Sequence, residues 1–148
     1  VVYEANLRLQ TMSRNRYSLE RSDYTGGGRG KQGLDLAVMD AFTGQSRPAN
    51  TLSGGETFLA SMALALGLAD VIQSYAGGIH MDTMFIDEGF GTLDPDTLEL
   101  AMETLVKLQS SGRLIGMISH VPELKTRIPA HLEVTRGDDG STAKFVIN

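Results

Sequence analysis

A chain of 148 residues with 41% apolar content carries enough hydrophobic side chains for one core, and we read residues 1–148 as a single domain. It contains no cysteine, which excludes disulfide frameworks and cysteine–zinc sites. The net charge of −5 is uneven: residues 1–47 carry seven basic and five acidic groups, residues 48–148 six and thirteen, and neither part is a DNA-binding stripe by itself. Any DNA contact is therefore expected in the first third or in chain outside this sequence.

The chain starts at Val1 without a signal-peptide pattern and reads as a fragment of a longer protein. Val2, Ala5, Leu9 and Met12 recur at helical spacing and predict a helix over residues 1–13, the root of an incoming coiled coil. Tyr17 and Leu19, and then Leu34, Leu36 and Val38, alternate with polar residues, predicting two half-buried antiparallel strands. Between them, Thr25-Gly-Gly-Gly-Arg-Gly-Lys-Gln32 has the outline of a G-x-x-x-x-G-K-[ST] phosphate loop. Thr25 stands where the first glycine belongs, Gln32 where the hydroxyl belongs, and no apolar strand leads in. We read it as a flexible hairpin loop, and Thr43-Gly-Gln-Ser-Arg-Pro48 as a turn.

Next comes Thr51-Leu-Ser-Gly-Gly-Glu56, opening an apolar helix from about Glu56 to Tyr75 that ends at Gly77-Gly78. Ser53 and Glu56 satisfy the S-x-x-E capping box. Gly54 and Gly55 do not follow from capping, since each costs about 1 kcal/mol against alanine in a helix. They suit an anion approaching the backbone at the positive end of the helix dipole, so cap and anion site both stand. The most apolar stretch, residues 58–72, is interrupted by Ser61, Gly67 and Asp70 and reads as too short to span a bilayer.

Met84, Phe85 and Ile86 form a short apolar run, predicting a buried parallel strand with Asp87 and Glu88 at its carboxyl end, where open α/β sheets bind ligands. Asp94-Pro95 already supplies the next helix with an N-cap and an N1 proline. The paired carboxylates are thus available for chemistry: Asp87 as a Mg²⁺ ligand, Glu88 to polarise an attacking water. The Pro95 helix is expected to end near Ser110-Ser-Gly112. Arg113-Leu-Ile-Gly-Met-Ile-Ser119 predicts a second apolar strand beside the first, ending on His120, whose imidazole can bond a phosphoryl oxygen or the activated water. A short helical turn over residues 121–125 and two strands flanking Gly137-Asp-Asp-Gly140 complete the chain. His80 and His131 lack partners at metal-ligand spacing, and the seven methionines read as core filler.

In family order, Leu52-Ser-Gly-Gly-Glu56 resembles the ABC ATPase signature, Met84-Phe-Ile-Asp-Glu88 a Walker B strand, Gly91-Thr-Leu-Asp94 the D-loop, and Ser119-His120 the switch histidine. Transporter ATPases usually carry Gln in the signature's fifth place and Pro after the Walker B glutamate; this chain has Glu56 and Gly89. The run Asp87-Glu-Gly-Phe-Gly-Thr-Leu-Asp94 is similar to SbcC-type subunits of bacterial SbcCD nucleases, as is Phe58-Leu-Ala-Ser-Met-Ala-Leu-Ala-Leu-Gly-Leu-Ala69. The resemblance implies an α/β fold: the C-terminal lobe of an ABC-type ATPase head, a mostly parallel sheet flanked by helices, with antiparallel strands at its N- and C-terminal parts. It implies ATP and Mg²⁺ as cofactors, with Leu52, Ser53, Gly54, Gly55, Glu56 and Asp94 at the nucleotide, Asp87 on the metal, and Glu88 and His120 catalytic. Implied partners are an N-terminal Walker A lobe of the same protein, a second head, an SbcD-type nuclease subunit and double-stranded DNA, with no membrane and a cytoplasmic, nucleoid-associated location. An SMC-like DNA tether without nuclease, or a transporter ATPase, is the alternative.

Overall fold

The computed structural model describes residues 1–21, 36–75 and 81–148, which form two compact units, residues 1–118 and 119–148. The glycine-rich loop at residues 25–32, together with Leu34, Gly77, Gly78 and His80, lies outside the described residues.

In the first unit, helix α1 (Val2–Met12) buries Ala5, Leu9 and Met12, the stripe its spacing predicts. Arg14 and Asn15, both at positive φ (52° and 62°), turn the chain from α1 into strand β1 (Tyr17–Arg21). Strand β2 (Leu36–Asp40) pairs antiparallel with β1, placing Leu19 opposite Val38, both nearly fully buried. A third strand, β3 (Gln45–Pro48), occupies most of the segment expected as a turn and pairs antiparallel with β2. The reversal needs only the residues up to Gly44, whose φ of +66° suits glycine. Pro48 closes β3 at the sheet edge, where its missing N–H is tolerated.

Helix α2 (Gly54–Tyr75) starts two residues before Glu56 and packs along α1. Gly67 sets the crossing: a Cβ there would lie 2.5 Å from the Ala5 nitrogen, so the two backbones touch. Asp70 then pairs with Arg8 of α1 and, at 2.8 Å, with Arg113. With 22 residues, α2 is long and apolar enough to cross a bilayer on length and composition alone, which corrects the shorter expectation from residues 58–72. The helix gains length because it extends past that stretch at both ends, and α1 takes the face bearing Ala63, Leu66 and Gly67.

Strands β4 (Thr83–Asp87) and β5 (Leu114–Ile118) pair in parallel, joined through helix α3 (Pro95–Ser110). Among the described residues this is the one parallel pair; the other strands form antiparallel sheets. The expected burial of β4 is only half met: Met84 and Ile86 are half-buried, but Phe85 is 74% exposed. Phe85 shares one face of this sheet with Leu114 and Ile118 of β5, and among the described residues that face is left uncovered.

The second unit holds helix α4 (Pro122–Arg127) and a hairpin of β6 (Ala130–Gly137) and β7 (Gly140–Ile147) closing at the expected Gly137-Asp-Asp-Gly140 turn. The Asn148 amide donates to the carbonyls of Lys125 (2.5 Å) and Ile128 (2.8 Å), tying the hairpin's end to α4.

Candidate functional site

The signature turn opens α2 as a working capping box. The Glu56 N–H points to Ser53 Oγ at 3.4 Å, and the Ser53 N–H donates to Glu56 Oε2 at 2.8 Å. Glu56 does more than cap. Its Oε1 accepts from the Tyr17 hydroxyl at 2.6 Å and from the Arg47 guanidinium at 2.7 Å. Burial acts to raise its pKa, yet the donors from Tyr17, Ser53 and Arg47 outweigh it and draw the carboxyl down to about 2. Tyr17 is pushed up to about 12, first by burial and then by the neighbouring carboxylate. Both Glu56 oxygens are thus turned inward, onto protein donors, while Ser53 and Gly54 lie exposed.

The two glycines have a packing role. A Cβ on Gly55 would lie 3.0 Å from the Thr92 carbonyl oxygen and 3.5 Å from Leu93, and one on Gly54 would lie 3.4 Å from Thr92 Cγ2. The loop after Glu88 presses against the start of α2, which accounts for Gly55 without any ligand. The capping box takes up the Ser53 and Glu56 N–H groups, which leaves those of Gly54 and Gly55 at the positive end of the helix as the ones suited to an anion. Leu52 is extended and half-buried just before the turn.

At the other end of that loop, β4 delivers the carboxylates. Asp87 is exposed and in register with Ile118. Glu88 is exposed too, and its N–H donates to the Ile118 carbonyl at 2.9 Å, so the ladder continues one residue past the strand. Its φ of +57° is left-handed, a conformation that costs a non-glycine residue about 1–2 kcal/mol and is concentrated at functional sites. Gly89 follows at φ +95°, then a 3₁₀ turn over Phe90–Thr92 in which buried Phe90 meets Phe58 edge-on at 4.9 Å. Asp94 caps α3: its carboxylate accepts from the Thr97 N–H (3.0 Å) and hydroxyl (2.6 Å), and these bonds hold its pKa below the usual carboxylate range.

Among the described residues no three His, Asp or Glu side chains cluster to enclose a metal ion. Mg²⁺ asks for no such cage, since it binds through one or two carboxylates together with substrate phosphates and water. An exposed Asp87 at a strand end fits that mode. His120 belongs to the second unit, two residues past β5, where the neighbouring Ser119 Oγ accepts from the Val121 N–H at 3.2 Å. Sequence reasoning missed Tyr17 and Arg47. Their only signal is indirect, because a carboxylate shielded from water needs donors from elsewhere in the fold.

The architecture is that of SMC ATPase heads. An SMC ATPase structure solved in work on ATP-driven dimerization and DNA-stimulated activation superposes with a TM-score of 0.70 at 16% identity, over 98% of this chain and 82% of that one. The SMC head domain from Thermotoga maritima gives a TM-score of 0.60 at 20% identity, over 99% and 47%. The fold is therefore the one these SMC head domains share, with two exposed carboxylates at the end of its parallel strand β4.

Residues 16–107 match the family described as "SbcC/RAD50-like, Walker B motif", and the chain belongs to that family. It is 52% identical over 146 residues to the SbcC component of the SbcCD nuclease of Vibrio cholerae and 54% identical over 145 residues to that of Staphylococcus epidermidis, covering 99% and 98% of this chain. The chain spans 14% of the length of these relatives.

Proposed function

We propose that this chain is the C-terminal lobe of a split ATPase head in an SbcC-type protein, that two such heads close around ATP, and that the cycle gates an SbcD-type nuclease acting on double-stranded DNA in the cytoplasm. The observation that carries the reading is Glu88: exposed, left-handed, and set at the carboxyl end of a parallel strand beside exposed Asp87. In this reading a separate N-terminal lobe brings the Walker A loop, and its packing covers Phe85, Leu114 and Ile118. Asp87 holds Mg²⁺, which neutralises charge on the phosphates. Glu88 orients the attacking water, and His120 contacts the reacting phosphoryl group. Ser53, Gly54 and the helix dipole of α2 meet the γ-phosphate bound to the partner head, while Asp94 shapes the loop at that interface and Glu56 keeps the turn in place. Catalysis of this kind is mostly positioning and electrostatics.

Support for the SbcC-type assignment over an SMC tether comes from identity above 50% across nearly the whole chain, against 16–20% for the SMC heads. The test is Glu88→Gln in the full-length protein. It should abolish ATP turnover and preserve or strengthen ATP-driven dimerisation, because the phosphate and metal contacts survive. Wild-type turnover would remove Glu88 from the mechanism.

A further inference from the structure

The Glu56 carboxylate is divided between two parts of the fold. Its Oε2 holds the Ser53 N–H, and its Oε1 is gripped by Tyr17 from β1 and Arg47 from β3, the two outer strands of one three-stranded sheet. A capping box needs only the first of these bonds. The grip is itself anchored. Tyr17 sits at the end of the turn that leaves α1, where its N–H donates to Ser13 Oγ at 3.0 Å. Arg16 lies over the Tyr17 ring, 4.8 Å from its centroid, and donates to Asp40 at 3.0 Å. An unbroken series of contacts therefore joins α1 to the turn at Ser53.

We propose that Tyr17 and Arg47 are positioning residues for the signature turn: through Glu56 they hold Ser53, Gly54 and Gly55 in the geometry that closes on the partner head's nucleotide. The inference rests on the composite-site reading above. Bonds to a charged acceptor are the strong ones, and losing one such bond is worth about tenfold in an equilibrium. Because the turn acts on a second head, the loss falls on head closure and not on nucleotide capture by a single head.

The experiment uses the full-length protein and measures three quantities: ATP affinity under monomeric conditions, the protein concentration at half-maximal ATP-driven dimerisation, and turnover against protein concentration. Tyr17→Phe and Arg47→Gln should each raise the dimerisation concentration about tenfold with monomer ATP affinity unchanged, and turnover should recover at high protein concentration. Arg47→Lys, which keeps one donor, should recover most of the effect. Tyr17→Phe combined with Glu56→Gln should add little to Glu56→Gln alone, because both act through one carboxylate. Arg47 is one-third exposed at the sheet edge, so its variants carry the test if Tyr17→Phe folds poorly.

Wild-type dimerisation by Arg47→Gln and Tyr17→Phe would overturn the inference. So would a parallel loss of monomer ATP affinity, which marks a merely structural role. Ser53→Arg, run alongside, separates the two failures. If it blocks dimerisation while Tyr17→Phe and Arg47→Gln behave as wild type, only the positioning role falls. If Ser53→Arg itself dimerises normally, the composite-site reading falls and takes this inference with it.

Discussion

The residue after Glu88 offers a substitution whose cost separates into parts. Gly89 has φ +95°, and a Cβ built there would overlap the Phe58 ring. That ring cannot swing away freely, because it packs edge-on against Phe90, which is 1% exposed. Gly89→Ala therefore incurs about 1–2 kcal/mol for the left-handed backbone and about 1–3 kcal/mol for displacing the aromatic pair. Gly112 is the natural control: it has the same φ of +95° and nothing within 4 Å of an added Cβ. The entropy lost from the unfolded chain is common to both alanine variants and cancels between them.

Gly89→Ala should thus destabilise the intact head by about 1–3 kcal/mol more than Gly112→Ala, read as a lower urea midpoint at unchanged slope. Turnover should fall by about ten- to a hundredfold in the Gly89 variant alone, because Glu88 is displaced with its neighbour and small misplacements of catalytic groups are costly. Gly89→Pro should be worse still, since proline fixes φ near −65°. The proline that transporter ATPases carry after their glutamate is thus incompatible with this loop. Equal costs at the two glycines would show that the Phe58 contact contributes nothing and would refute the reasoning.

Ser53→Arg should block ATP-driven dimerisation by filling the slot for the partner's γ-phosphate, while ATP binding to monomers survives; sizing in ATP checks it. The Glu56 pKa falls from an ordinary 4.5 to about 2 on folding, so its contribution, about 3 kcal/mol, is complete above roughly pH 4.5 and is lost as pH drops toward 2. Tyr17 is raised from 10 to about 12, so its contribution is present below pH 10 and lost as pH climbs toward 12. Urea midpoints against pH should show a shallower acid limb in Glu56→Gln and a shallower alkaline limb in Tyr17→Phe than in wild type. The 148-residue chain alone should bind no Mg·ATP by calorimetry and should gain binding when the Walker A lobe is added; micromolar binding alone would defeat the split-head reading.

What could be read from the sequence was whatever local spacing determines. The α1 stripe of Ala5, Leu9 and Met12, the Asp94-Pro95 cap and the Gly137–Gly140 turn each follow from residues within a few positions of one another. The ordered motifs were legible for the same reason, and they carried the family. Strand β3 escaped because Gln45-Ser-Arg-Pro48 has no apolar alternation; it is a strand only because β2 offers its edge. An apolar run predicts a buried Phe85 because composition reports what a residue prefers, while its 74% exposure reports which surfaces this stretch of chain provides.

The signature turn shows the same limit where it matters for function. Ser53-Gly-Gly-Glu56 invites a choice between helix cap and anion site, and the structure answers with a third contribution from distant residues. Gly55 is required by the Thr92 carbonyl, thirty-seven positions away, and Glu56 is held by Tyr17, thirty-nine positions earlier. A cap and the proposed anion site are therefore compatible at this turn. Inward-facing Glu56 fixes the turn, the loop carrying Thr92 backs it, and Ser53 and Gly54 stay exposed with the helix dipole behind them. A turn built only as a cap would need neither the sheet's grip nor the backing loop. That surplus of restraint around an exposed helix start is the physical argument that the turn's geometry is held from outside the helix as well as by its cap.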